Sequence, residues 1–222
     1  LTRFGDGTHN DRIARLLAAM TLTQRGTALL YYGEEIGMTD LLPEELKDVP
    51  LGPKRQVVDH RDPLRSPMQW SAQPGAGFTT GTPWLPVART ALTTNAAAQM
   101  ADPASLYHWH ARLIALRKTN AALREGAYIP LASGNPAVVA FARKAKGGDG
   151  VLVLLNLSAQ EQVAKLTGWP GQAPLGEAVL LASPAGTNTE VATPQLEPFA
   201  VRLIRFRDDT PAASAKRRNQ KR

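Results

Sequence analysis

The chain has 222 residues, with 26 Lys and Arg against 19 Asp and Glu and a formal net charge of +7. It has no cysteine, which excludes a disulfide framework or a thiolate metal site and points to a reducing, cytoplasmic compartment. No apolar run reaches the roughly 20 residues that a membrane span needs, and the length suits one large domain or two modest ones.

The first predicted element is a helix from Asp11 to Thr23. Ile13, Leu16, Leu17 and Met20 recur at the spacing of one buried helical face. Asn10 or Asp11 stands directly ahead of them, where a short polar side chain caps an orphan backbone amide. Gly26 lies just past the helix end, a normal place for glycine. Thr27-Ala28-Leu29-Leu30-Tyr31-Tyr32 then reads as a fully buried strand, because a continuous apolar run suits a strand covered on both faces.

Gly33-Glu34-Glu35 follows. Two adjacent glutamates invite an acid/base reading, but neighbouring residues of an extended segment point to opposite sides and do not jointly flank one bond. A loop carboxylate that pairs with an arginine or caps an amide is the simpler expectation. From Thr39 to Ser105 runs a long segment rich in Pro, Gly and Ala with little periodicity. Trp70, Phe78 and Trp84 would be wasted in a disordered linker, so this loop is expected to be ordered, with its aromatic residues packing it or walling a sugar site.

Asp102-Pro103 is expected to open a second helix, with Asp as cap and Pro in the first turn, and Leu106, Trp109, Leu113 and Leu116 on its apolar face. His108 and His110 have no third ligand at helical spacing, so no metal is expected there. After Asn120 the pattern changes to short strands: Val138 to Arg143, Val151 to Leu157, Gln162 to Leu166, Ala178 to Leu181 and Phe199 to Arg205. Turn residues Gly147-Gly148-Asp149-Gly150 and Gly168-Trp169-Pro170-Gly171 separate them, and the whole is expected to be a small antiparallel β-sandwich.

Lys216, Arg217, Arg218, Lys221 and Arg222 place five positive charges in the last seven residues. The rest of the chain is therefore nearly balanced in charge. The tail has no apolar periodicity and reads as a solvated, disordered end. No aromatic residue interleaves with its basic ones to stack bases, which argues against a nucleic-acid partner.

The most informative stretch is Arg61 to Trp70, R-D-P-L-R-S-P-M-Q-W, followed by G-A-G-F-T-T-G-T-P-W from Gly75 to Trp84. Two arginines four residues apart beside a rigid Pro-Met-Gln-Trp corner present planar guanidinium forks, which suit sugar hydroxyls or a carboxylate that also touches the sugar. Together with Y-G-E-E-I-G-M from Tyr32 to Met38, these motifs resemble the alpha-glucosidase and oligo-1,6-glucosidase branch of the alpha-amylase superfamily. The resemblance covers all but the tail after Arg207. This chain differs from the usual pattern in having His60 in place of a glycine and Pro63-Leu64 between the arginines.

The resemblance implies the C-terminal end of a TIM barrel, with the eighth strand at Thr27 to Tyr32, followed by the small β domain. The expected domains are 1–120 for the incomplete barrel, 121–207 for the β domain and 208–222 for the tail. It also implies that Arg65 holds the 4-hydroxyl of a terminal glucose and pairs with an upstream Asp, and that Arg61 lines the pocket entrance. The substrate class is an α-glucoside oligosaccharide, with no cofactor. The family's Asn-His-Asp motif and its other two catalytic carboxylates are missing, so this chain alone is expected to be inactive. His9-Asn10-Asp11 is a decoy, a permuted version of that motif on a helix start. Other readings are a trehalose synthase-like isomerase, a noncatalytic amylase-like relative, or an interaction module acting through the basic tail.

Overall fold

The computed structural model describes residues 4–47, 49, 60–169 and 175–207. It divides into two compact units, Leu1–Arg117 and Lys118–Arg222. The tail, and with it the expectation of disorder there, lies outside the described residues.

In the first unit, α1 (Asn10–Thr23) is followed by short 3-10 turns, then α2 (Ala96–Ala101) and α3 (Leu106–Thr119). Ile13 and Leu16 of α1 are buried as the periodicity requires. The expected cap is corrected. The helix begins at Asn10 after His9, and no side chain caps it. Asp6 instead organises the turn ahead of it, accepting the amides of Thr8 at 2.9 Å and His9 at 2.6 Å, with Nδ1 of His9 also 2.8 Å away. Asn10 is spent on the amide of Gly7 and Asp11 on Arg15 one turn along.

At the far end of α1 the solution is a residue 91 to 95 positions away. The guanidinium of Arg117 donates to the carbonyls of Leu22, Gln24 and Gly26, satisfying groups that a helix end leaves without intrahelical partners. The indole N–H of Trp109 donates to the carbonyl of Arg15 at 3.0 Å. These contacts lock α3 along α1.

Two further expectations in this unit are corrected. Thr27 to Tyr32 forms no strand. Leu29 is 83% exposed and Leu30, Tyr31 and Tyr32 are over 40% exposed, because among the described residues of this unit no other strand offers a ladder or a covering face. The second helix starts at Leu106, not at Asp102. Asp102 precedes a proline, whose ring disfavours helical geometry at that residue, and it adopts an extended conformation. Ser105 then takes the capping place, its hydroxyl accepting from the amide of His108.

The second unit begins with α4 (Ala121–Glu125), capped by Asn120. A five-stranded antiparallel sheet follows, in the order β1 (Ala127–Leu131), β2 (Val138–Lys144), β3 (Asp149–Asn156), β7 (Val201–Arg207), β5 (Gly176–Ser183). β4 (Gln162–Val163) and β6 (Gln195–Leu196) pair separately. The stretch after β4 continues irregularly, with Ala164 bonded to Pro194 and Leu166 to Ala192. Both sheets feed one core that joins Leu152, Leu154, Ile204 and Phe206 to Ala164, Leu166 and Leu196. The second layer is thus a two-stranded ribbon over the larger sheet. On the sheet's other face lie Phe141, Val153 and Leu203, all fully buried, with α4 packed on β2 and β3. Burial on both faces is why β3 is apolar at every position from Val151 to Leu155. The last strand starts two residues later than expected, since Phe199 has a φ of 50° that no strand accommodates.

Two tests follow from the first unit. Arg117→Met should cost roughly 1.5–3 kcal/mol in urea denaturation, the range for hydrogen bonds made by a charged group. The Asp6 carboxyl is held down to about 2 from 3.8, chiefly by the His9 amide and then the His9 side chain. A lowered folded value means that its stabilising effect is complete above about 3.8 and is lost as pH falls through about 2. Carboxyl-carbon NMR should place the Asp6 midpoint in that lower range, and Asp6→Ala should remove the acid dependence.

Candidate functional site

The extended run ends where Gly33 turns the chain with a φ of 87°. A side chain there would collide with the side chain of Met38. A 3-10 turn, Glu34–Ile36, follows. Glu35 accepts the amide of Gly33 at 2.9 Å, so it serves as the backbone cap expected of this pair. Ile36 is buried with Met68 and Ala96, which anchors the turn.

Tyr32, the last residue of the exposed run, reaches across to the arginine loop. Its hydroxyl donates to the carbonyl of Ser66 at 2.8 Å. That loop is a 3-10 turn, Asp62–Arg65, in which Pro63 fixes the first turn and Asp62 is fully buried. Arg61 and Arg65 are both exposed. Ser66, Met68 and Gln69 are buried just beyond, and the Gln69 amide donates to the Thr90 hydroxyl at 2.9 Å.

A tight turn then presents the aromatic residues. Gly75, Ala76 and Gly77 all have left-handed backbones, with φ of 66°, 55° and 67°. For Ala76 this costs about 1–2 kcal/mol, tolerated because the carbonyl of Ala76 accepts the amides of both Trp70 and Ser71 at 3.0 Å. Phe78 is bonded back to Gly75 at 2.9 Å. Trp70 and Phe78 are therefore carried by a backbone with few alternatives.

These segments enclose an open cavity of about 540 Å³, lined by Tyr32, Glu35, Arg65, Trp70, Phe78 and Trp84 among others. Of the two expected site arginines, Arg65 lines this cavity and Arg61 does not. Among the described residues Arg65 makes no ion pair. Burial pushes the Tyr32 hydroxyl above the ordinary tyrosine value, as does neighbouring Tyr31, while Arg65 pulls against the rise. Sequence reading assigned Tyr32 to strand packing. Its role as a tether has no local signature, because its partner lies 34 residues on.

A second cavity of about 370 Å³ is lined by Phe4, Leu17, Glu34, Asp40, Leu64 and His110 among others. His110 is buried and contacts the carbonyl of Leu106 through Nδ1 at 3.0 Å. Burial, the larger effect, holds its imidazole below the usual histidine range. Among the described residues no group of three metal-ligating side chains exists, and no helix is long and apolar enough to cross a membrane.

The family model for the alpha amylase catalytic domain matches residues 1–126. The chain belongs to the alpha-amylase family of glycoside hydrolases. A probable alpha-glucosidase from Rhizobium meliloti (strain 1021) is 35% identical over 170 residues, covering 75% of this chain and 30% of that protein. An oligo-1,6-glucosidase from Parageobacillus thermoglucosidasius is 33% identical over 187 residues, covering 75% of this chain and 33% of that protein. The chain thus spans about a third of the length of these relatives. The crystal structure of trehalose-6-phosphate hydrolase from Bacillus licheniformis matches with a TM-score of 0.81 over 93% of this chain and 41% of that one, a likeness of fold at 24% identity. The trehalulose synthase from Pseudomonas mesoacidophila MX-45 matches with a TM-score of 0.75 and 29% identity, over 92% of this chain and 40% of that one.

Removing the tether tests the geometry. Tyr32→Phe should lower stability by about 1 kcal/mol. In the wild type the raised hydroxyl value keeps the tether intact below pH 10 and releases it as pH climbs through the folded value. Difference absorbance titration of wild type against Tyr32→Phe should therefore show one tyrosine ionising above its ordinary value.

Proposed function

We propose that these 222 residues carry the substrate-orienting part of a retaining alpha-glucosidase, and that the two catalytic carboxylates come from segments outside them. The observation that carries this reading is the exposed Arg65 on the wall of an aromatic-lined cavity, fixed from behind by the Tyr32 to Ser66 hydrogen bond. A planar fork with five N–H donors holds sugar hydroxyls in one orientation and favours reaction by positioning the glucose. Arg61, one turn earlier, guards the approach. The names of the relatives, alpha-glucosidase and oligo-1,6-glucosidase, favour terminal α-linked glucose as the substrate unit.

Retaining hydrolysis needs two carboxyl groups about 5–5.5 Å apart on either side of the scissile bond. Glu35 is occupied with the Gly33 amide, and Glu34 lines the other cavity. Neither fits that role. Residues 1–120 form the barrel part in this proposal and 121–207 the β domain, with a cytoplasmic location. The likeness to a trehalulose synthase supports a second outcome, glucosyl transfer within the sugar in place of hydrolysis; both outcomes use the same oriented glucose.

The test is release of nitrophenolate from 4-nitrophenyl α-D-glucopyranoside by the purified chain, with its intact mass confirmed. No turnover is expected. Turnover that Arg65→Ala abolishes would overturn the assignment of the carboxylates to other segments.

A further inference from the structure

We infer that the second cavity of the first unit, bordered by α1, the Glu34–Ile36 turn and α3, is a site for an ammonium group on a short aliphatic stem, whether a free primary amine or a lysine side chain of another polypeptide. The inference is independent of the sugar-orienting reading of Arg65, which concerns the other cavity. The volume of about 370 Å³ lies within the roughly 300–1,000 Å³ of small-molecule sites. Glu34, Asp40 and His110 border the cavity, and among the described residues no lysine or arginine does. It therefore offers negative charge in a chain whose net charge is +7.

Surface carboxylates are ordinarily solvated and mark no site by themselves. The buried histidine singles this place out. His110 is 4% exposed, yet among the described residues only its Nδ1 has a hydrogen-bond partner, the carbonyl of Leu106 at 3.0 Å. A carbonyl only accepts, so Nδ1 carries the proton and the neutral ring presents a lone pair at Nε2. Burial, the largest effect, holds the imidazole below the usual histidine range; the Leu106 carbonyl, Glu35 and Glu34 pull the other way, and Arg15 adds to the effect of burial. Glu34 makes no ion pair among the described residues. An ammonium group has three N–H donors and no acceptor, which matches a lone pair and two carboxylates in number and in sign. Leu17, Met38 and Leu64 make the rest of the wall apolar, suited to a methylene stem of the kind that lysine lays along apolar surface. Phe4 adds an aromatic ring, a group whose face attracts cations. An anion would meet two carboxylates, and among the described residues no group of three metal-ligating side chains could hold a metal ion.

NMR titration of the whole chain with butylammonium, and with 1-butanol as its uncharged counterpart, tests this, read at the Met38 methyl and the His110 ring. Butylammonium should shift both resonances saturably and bind at least about tenfold more tightly than 1-butanol, as hydrogen bonds made by a charged group require. Glu34→Gln, an exposed change that keeps the shape of the side chain, should weaken butylammonium about tenfold and leave 1-butanol unchanged. His110→Phe should weaken it as well, with circular dichroism matching the wild type; if that variant does not fold, Glu34→Gln decides. Equal affinity for the two probes, no saturable shift with butylammonium, or an unchanged affinity in Glu34→Gln would overturn the site. Saturable shifts with magnesium chloride would overturn it in favour of a metal. Nα-acetyl-lysine methylamide separates the two sources of the ammonium group: affinity equal to that of butylammonium assigns the cavity to a lysine side chain, and weaker affinity assigns it to a free amine.

Discussion

A buried amide or carbonyl must find a partner, and the described part of the segment from Thr39 to Ser105, which forms no sheet, has to supply those partners from within. That constraint shapes the first unit. The first two amides of α2 donate to the carbonyls of Gln69 and Trp70, and Asn95 caps the amide of Ala98. Gln69 reaches Thr90, Glu45 accepts the amide of Arg89, and the carbonyl of Ala76 takes two amides at once. The bonds of Gln69, Trp70 and Glu45 to Thr90, Ala96, Ala97 and Arg89 join distant parts of the segment, and Trp70 is on the cavity wall. The wall is consequently built without a single regular strand among the described residues of that unit.

The two units answer the same sequence signal in opposite ways. Val151 to Leu155 and Thr27 to Tyr32 are both continuous apolar runs. The first is fully buried between β2 and β7, while the second stays largely exposed. Pattern identifies a segment suited to a covered sheet; it does not supply the cover. The interiors of α1 and α3 and the β2–β3 hairpin, whose partners lie close in the chain, were legible for that reason, whereas the short α2, α4 and β1 were not expected. The helix ends were not. The Arg117 cap on α1 spans more than 90 residues and Asp6 acts through a turn before the helix, so local capping rules pointed to the wrong side chains. The start of α3 was misjudged because the conformational restriction ahead of Pro103 outweighs the capping preference of Asp102.

The candidate site was legible in its chemistry and not in its geometry. The Arg61 to Trp70 motif gave the family, and the long loop with its three aromatic residues was expected to be ordered. What the motif did not contain was which arginine faces the cavity, a matter settled by the 3-10 turn at Asp62–Arg65. The Tyr32 tether escaped for the same reason as the Arg117 cap: its partner is remote. Membership of the alpha-amylase family, and a cavity wall that carries Arg65 beside three aromatic residues, are the observations on which the proposed function rests.

The central claim is that the loop is held by its own hydrogen bonds and so preforms the cavity. Amide hydrogen exchange of the chain addresses it most directly. The amides of Trp70, Ser71, Ala76, Arg89, Ala96 and Ala97 should exchange far more slowly than unfolded-chain rates, and those of Ala28 to Tyr31 should exchange quickly. Unprotected amides across residues 70–97 would contradict the account.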